Sequence, residues 1–371
     1  MEEINPSEKA LGDYITELLP WAHGHQIKAI TAVVAAIIEK QSGNQAELAR
    51  NFGNQEAAVK RIGRLVHNQR LDPRDLADAV LEEAISKLPA SGKVRITIDW
   101  TSEDNQHLLV ISLVIGRRAM PIYWRAYDSK VLKGRMHRYE RAVIKRVVKR
   151  LRQVVGPKRL RITADRGFAD VELFKLLEEL GITFFIRVKG SVKICRWQRW
   201  QKLGSLGFAK NARTRRLGKR LYCESAPHRL FITMSRARNR KGEWGIWYLV
   251  SNCDCSANVA ASEYSFRFSC EEGFRDLKWW LGFTDARIKE INAWSRMFAL
   301  FAISLLVLIN LAIKLLIDNI DSASLLRRVL SRRNKRTELS LISAMLCLLQ
   351  HDKSLFSLLP SCSIFNLEAA L

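Results

Sequence analysis

The sequence predicts an α/β fold in which a mixed sheet is interrupted by a β-rich insertion and flanked by helical regions at both ends. Three observations carry this. Residues 1–90 keep a helical period. From Lys93 the period changes to two, then alternates between strand-like and helix-like segments. Residues 190–255 are basic and strand-like, and stand between that alternating part and a further helical stretch.

Taken in order, Ala and Ile recur at helical spacing through His25–Glu39. Asn44–Gly53 reads as a capped helix ending at Gly, and Glu56–Asn68 as a second helix with Lys60, Arg61 and Arg64 exposed. Helix, short turn and basic helix fit a helix-turn-helix, and a plain helical hairpin fits equally well. Asp72-Pro73 opens another helix, and Pro89-Ala-Ser-Gly92 marks a boundary. Val94, Ile96 and Ile98 then alternate up to Asp99. Leu108–Ile115 and Ala119–Trp124 form the next two strands, joined by Gly116-Arg-Arg118. Val143, Ile144, Val147, Val148 and Leu151 mark a helix over 136–155, with Lys and Arg on its other face. Leu160–Ala164 is a short strand delivering Asp165; a helix over Val171–Leu180 and a strand over Thr183–Val188 follow. The order β-β-β-α-β-α-β, with one acid on the first strand, another just after the fourth and a later helix bearing a third, is a ribonuclease H-like arrangement. In it, parallel neighbours place strand ends side by side, where polar sites form. The division predicted is a helical DNA-binding region at 1–90, a catalytic core at 91–189 and 256–318, a basic β-rich insertion at 190–255, and a helical region at 319–371 suited to dimerisation.

The chain has 371 residues, is 48% hydrophobic and carries a net charge of +24, which points to a polyanionic partner. Residues 130–161 hold thirteen Lys/Arg against Glu140, and residues 187–241 hold seventeen against Glu224. Those segments carry +28 together, so the remainder sums to −4. A single charge run is usually a solvated face; two runs that account for the whole imbalance favour nucleic acid. The seven Cys are irregularly spaced, and Cys253-Asp254-Cys255 without a second pair is a weak zinc signal, so reduced thiols in a cytosolic protein are expected. The N-terminus, Met-Glu-Glu-Ile-Asn-Pro, shows neither a basic nor an apolar signal region. Met297–Ile317 is long enough to cross a bilayer, but Asn310 and Lys314 interrupt it, and a buried core helix is expected instead.

The chemistry centres on Asp99, Asp165 and Glu271. Carboxylates without a His/Cys cage suit Mg²⁺, with Mn²⁺ as substitute. Two such ions support phosphoryl transfer by activating a hydroxyl and stabilising the leaving oxygen. Glu271 lies in Tyr264-x2-Arg267-x3-Glu271-x6-Lys278. At about 100° per residue, Arg267, Glu271 and Lys278 fall at roughly −60°, −20° and −40° from Tyr264, so all four share one helix face. Glu272 falls about 80° to the other side and is expected to pair with Arg275. Trp279-Trp280 reads as core. In the basic insertion, Trp197, Trp200 and Trp244 are candidates for stacking on an extruded base, and Arg213, Arg215, Arg216, Lys219 and Arg220 for phosphate contact.

At these residues the chain resembles the bacterial insertion-sequence DDE transposases of the family with the Y-(2)-R-(3)-E-(6)-K signature (insertion-sequence family four). Ile98-Asp99-Trp100-Thr101 and Asp165-Arg166-Gly167-Phe168 resemble its first two acid motifs, and the likeness spans roughly residues 90–315. It implies that Asp99, Asp165 and Glu271 bind two Mg²⁺, that Tyr264, Arg267 and Lys278 grip the strand near the cleaved end, and that an insertion Trp stacks on a base. The expected activity is cleavage of double-stranded DNA at transposon terminal inverted repeats, often through a hairpin, and joining to target DNA. The expected agent is a cytoplasmic, nucleoid-associated homodimer with no membrane role. Two other classes use the same features: a catalytically inactive DNA-binding relative or regulator, and a ribonuclease H-like nuclease without strand transfer.

Overall fold

The computed structural model describes residues 6–209, 211–238, 242–318, 323–330 and 340–361. Five helices come first: α1 (Pro6–Leu18), α2 (Gly24–Lys40), α3 (Gln45–Ala49), α4 (Gln55–Val66) and α5 (Pro73–Ser86). Asn44, Asn54 and Asp72 each accept a backbone N–H as N-caps, and Pro73 takes the first position of α5, where no donor is needed. The Asn44–Gly53 segment is helical only to Ala49; Gly53 belongs to the turn before α4.

Strands β1 (Val94–Glu103), β2 (Gln106–Ile115) and β3 (Arg118–Asp128) form an antiparallel meander. A short α6 (Ser129–Leu132) leads into α7 (Met136–Val155), which buries Val143, Ile144, Val147, Val148 and Leu151. β4 (Leu160–Ala164), α8 (Val171–Glu179) and β5 (Thr183–Val188) follow; β4 pairs parallel with both β1 and β5. Then come β6 (Lys193–Arg196), β7 (Arg199–Lys202), β8 (Thr214–Tyr222), β9 (His228–Arg238) and β10 (Trp244–Ser251).

Among the described residues, ten strands form one sheet, in the order β3-β2-β1-β4-β5-β10-β9-β8-β6-β7. The basic β-rich segment is thus a direct extension of the sheet through the β5–β10 pairing, Arg187 opposite Leu249. The β6–β7 hairpin lacks the alternation of apolar residues that betrays a strand, and its turn, Trp197-Gln198, holds two non-glycine residues at positive φ (49° and 61°).

The segment after β10 is α9 (Ala257–Ser265), a 3₁₀ turn (Phe266–Phe268), α10 (Ser269–Arg275) and a π turn (Asp276–Trp280), closed by Leu281 N donating to Asp276 O at 3.0 Å. The single uniform helix expected across Tyr264–Lys278 is therefore corrected. The tightened turn sends Phe266 under the Arg95 guanidinium and stacks Phe268 on Trp247, with Arg267 aimed between them at the acids.

α11 (Ile291–Ile317) contains the long apolar run and is long and apolar enough to cross a membrane, yet it is buried along most of its length. It packs on β3, α2, α5, α12 (Ala323–Leu330) and α13 (Leu341–His351). Its polar residues find partners in the N-terminal helices and the loop after them: Asn310 Nδ2 donates to the Tyr14 hydroxyl at 2.9 Å, and Arg296 donates to the carbonyls of Leu71 (2.6 Å) and Val66 (3.0 Å). One core cluster accordingly runs from α1 through the sheet to α13. The basic run Arg332–Arg336 lies outside the described residues.

One backbone contact fixes the height of α10 above the sheet. A Cβ on Gly273 would lie 2.2 Å from the Ala119 carbonyl oxygen of β3, whereas one on Gly53 would meet nothing within 4 Å. Gly273→Ala is expected to lower the free energy of unfolding by about 1–3 kcal/mol, and Gly53→Ala to leave it nearly unchanged. Denaturant unfolding of both variants checks this; equal stability would show that α10 is free to shift.

Candidate active site

Asp99 sits in β1, and the register that pairs Ile98 with Ala164 brings Asp165 out beside it. Asp165 caps the 3₁₀ turn Arg166–Phe168, its Oδ1 accepting from Gly167 N at 2.7 Å, while Phe168 anchors the turn in the core. Glu271 stands in the first turn of α10. That helix is tied to β1 by Cys270 Sγ, 2.9 Å from Thr97 Oγ1, and upstream by Glu263, which binds Lys93 (2.8 Å) and Arg95 (2.9 Å).

Arg267 joins the pieces. Its Nη2 donates to Asp99 Oδ2 at 2.8 Å and its Nη1 to Glu271 Oε1 at 2.5 Å. Burial pushes the Asp99 carboxyl up to about 6; Arg267 opposes the rise, and the charges of Asp165 and Glu271 add to it. Both acids are thus near enough to act on Asp99 electrostatically. Burial pulls Arg267 down, but Asp99, Tyr264, Cys270 and Glu271 outweigh it and hold the guanidinium charged.

The rest of the signature divides. Tyr264 is 1% exposed and packs against Trp247 (centroids 5.2 Å) and Phe268 (6.2 Å); burial pushes its hydroxyl up to about 12. Its ring is a wall of the site and offers no open face. Lys278 is half-buried, which lowers its pKa against the pull of Glu103 and Asp99. Glu272 turns away, accepting from Arg275 (2.9 Å) and Arg118 (3.3 Å). Trp280 packs on the core, but Trp279, read as core from the sequence, is 75% exposed under the Arg275 guanidinium. The π turn beneath these residues carries Leu277 and Leu281 into the core and leaves Trp279 outside.

The insertion residues lie elsewhere on the sheet. Trp197 is 78% exposed at the tip of the β6–β7 hairpin, with the Arg196 guanidinium 3.8 Å from its ring. Six strand spacings separate β6 from β1, roughly 29 Å for a flat sheet. Trp244 is also exposed, beside Arg238, and Trp200 is half-buried in β7. On β8, Arg213 just before it, Arg216, Lys219 and Arg220 are exposed; Arg216 pairs with Asp254 and Arg215 donates to the Gly207 carbonyl. The aromatic of this region that meets the signature is Trp247, not named among the stacking candidates. Alternation along β10 marks it, because Trp247 and Leu249 share the face that packs on Tyr264. Asp276 also escaped notice. It is buried on α10's flank, with both carboxylate oxygens 3.2 Å from Arg118 Nη1, and burial pushes it up to about 7.

Among the described residues, no group of three or more His, Cys, Asp and Glu is drawn close enough to hold a metal ion. The Arg267 guanidinium lies between Asp99 and Glu271. In donor chemistry the site fits a hard divalent cation: the charges of Asp165 and Glu271 both act on Asp99, and a side-chain cation already bridges Asp99 and Glu271.

The fold is mixed α/β, with Asp99 on β1, Asp165 just after the adjacent β4, and Glu271 on the helix crossing them. A family model described as the transposase DDE domain matches residues 130–307, which takes in Asp165, Glu271 and the whole signature and begins after Asp99. The match supports a DDE transposase family for this chain. No curated protein matches the sequence.

Asp276 gives a pH test of the packing. Its folded pKa of about 7 lies above the ordinary 3.8, so the folded state binds the extra proton. Stability from this group is full below about pH 4 and falls as pH rises through 7. Relative to Asp276→Asn, the wild type should therefore lose stability between pH 4 and 8. Denaturant midpoints at four pH values check the sign, and a difference that is flat or rises with pH contradicts it.

Proposed function

We propose that the chain is a DNA transposase that cleaves insertion-sequence ends and joins them to target DNA by two-metal phosphoryl transfer, by a cut-and-paste route. The observation that carries the reading is the Arg267 bridge between Asp99 and Glu271 beside Asp165, since it gathers residues 172 positions apart in one place. The three acids would hold two Mg²⁺, or Mn²⁺ in their place, which supply hydroxyl activation and leaving-group stabilisation when bound. Around them, the half-buried Lys278 feels the charges of Glu103 and Asp99 and would hold a strand phosphate. Tyr264 and Trp247 form an apolar wall that keeps water from that side. The sheet and the helices around it would serve as a ribonuclease H-like core with a DNA-binding region at 1–90.

Farther out, the cations before and along β8 give the sheet a basic flank for duplex DNA, and the exposed Trp197 would stack on an unpaired base. The strained hairpin turn supports that choice among the three tryptophans, because backbone strain persists where the surroundings over-determine it and clusters at functional sites. The protein would act as a homodimer on paired ends.

Asp99→Asn and Asp165→Asn should abolish cleavage of DNA carrying the element's terminal repeat and leave its binding nearly intact. Glu271→Gln should match them, and Glu272→Gln, whose side chain is held by Arg275 and Arg118, should keep substantial activity. Nicking and mobility-shift assays on the same preparations decide; normal cleavage by either Asp variant ends the two-metal reading.

Each phosphate contact removed lowers the slope of log K against log salt by roughly 0.9. Neutral replacement of Arg213, Lys219 and Arg220 together should therefore flatten the slope by about two to three units. An unchanged slope would mark them as a solvated face only.

A further inference from the structure

The Arg267 side chain has the properties of a stand-in for a divalent ion. Its two terminal nitrogens contact Asp99 Oδ2 (2.8 Å) and Glu271 Oε1 (2.5 Å), one from the sheet and one from the helix. Its planar fork can span both at once, which a point charge such as Lys cannot do. Its Nε is buried without a hydrogen-bond partner, a cost this placement bears in return for the charge contacts. Asp165 and Glu271 both act on Asp99 as like charges, so without an internal cation the largely buried Asp99 carboxylate would face two others uncompensated.

We propose that Arg267 is an internal counter-ion that keeps divalent cations from the acid site until DNA draws its guanidinium onto a phosphate. The guanidinium and the cation compete for the same two carboxylate oxygens. Cation affinity is therefore low in the free protein and rises when DNA binds, and by linkage the cation strengthens DNA binding by the same factor. The inference rests on the reading of Asp99 and Glu271 as cation ligands.

The test is Mn²⁺ titration of the full chain without DNA, by calorimetry or by the electron-spin signal of free Mn²⁺. Arg267→Gln should bind Mn²⁺ about tenfold more tightly than wild type, a typical coupling factor, and Arg267→Lys should fall between. A short DNA duplex should tighten Mn²⁺ binding to wild type and leave Arg267→Gln nearly unchanged. Equal or weaker Mn²⁺ binding by Arg267→Gln, with Asp99→Asn still weakening the wild type, overturns the counter-ion role and spares the cation site. Mn²⁺ binding indifferent to Asp99→Asn overturns the site reading itself and the proposal with it. Should Arg267→Gln fail to fold by circular dichroism, Arg267→Lys and the duplex arm decide: wild-type affinity in the Lys variant, with no duplex effect, overturns the proposal.

Discussion

The site depends on how closely α10 approaches the sheet. Only a residue without a side chain fits where Gly273 meets the Ala119 carbonyl, and from that contact the neighbouring positions follow. Glu271 comes over β1, Cys270 reaches Thr97, and Asp276 reaches Arg118 on β3. Each is a link between helix and strand made in a different direction, so α10 is fixed against both translation and rotation. The Arg267 bridge is short because these anchors have already placed its two acceptors.

The main strands and helices from Val94 to Val188 were readable because their burial is one-sided or complete in a regular way. Ile96 and Ile98 alternate with polar neighbours, and Val143, Ile144, Val147 and Val148 repeat at helical spacing. The positions of the three acids stood out for a related reason: a carboxylate at a strand end or on a helix face shared with cations breaks the local pattern, and the structure sets Asp99 and Glu271 on one guanidinium. What escaped was set by distant contacts. The break of the signature helix into 3₁₀, α and π turns answers to Arg95, Trp247 and Ala119, none of them near in sequence. Trp279 and Trp280 are adjacent and identical in type, and composition cannot tell that only one faces the core. The β6–β7 hairpin, rich in Arg, Lys, Gln and Trp, buries only Ile194 in the core and meets β8 at that same residue, opposite Tyr222.

The basic extension shares hydrogen bonds with the core strand by strand, from β5 through β10, β9 and β8 to β6. Any tilt of the outer hairpin is therefore resisted by backbone pairing all the way to the strands that present Asp165 and Asp99. An interrupted sheet would have left the outer tryptophans on a hinge.

The burial of α11 has a bearing on how the chain comes to be folded during synthesis. Tyr14 and Asn310 are partners, as are Leu71 and Arg296, although each pair is separated by more than two hundred residues (296 and 225). The first helices leave the ribosome with the surfaces that will receive α11 still uncovered, and wait for nearly three hundred residues to be made before the core closes on them. Contacts of that range slow folding and prolong the exposure of apolar surface. A chain cut short before α11 loses the central strut of the fold along with the C-terminal helix that rests on it, so a truncated product forfeits its first helices' partner as well as its last.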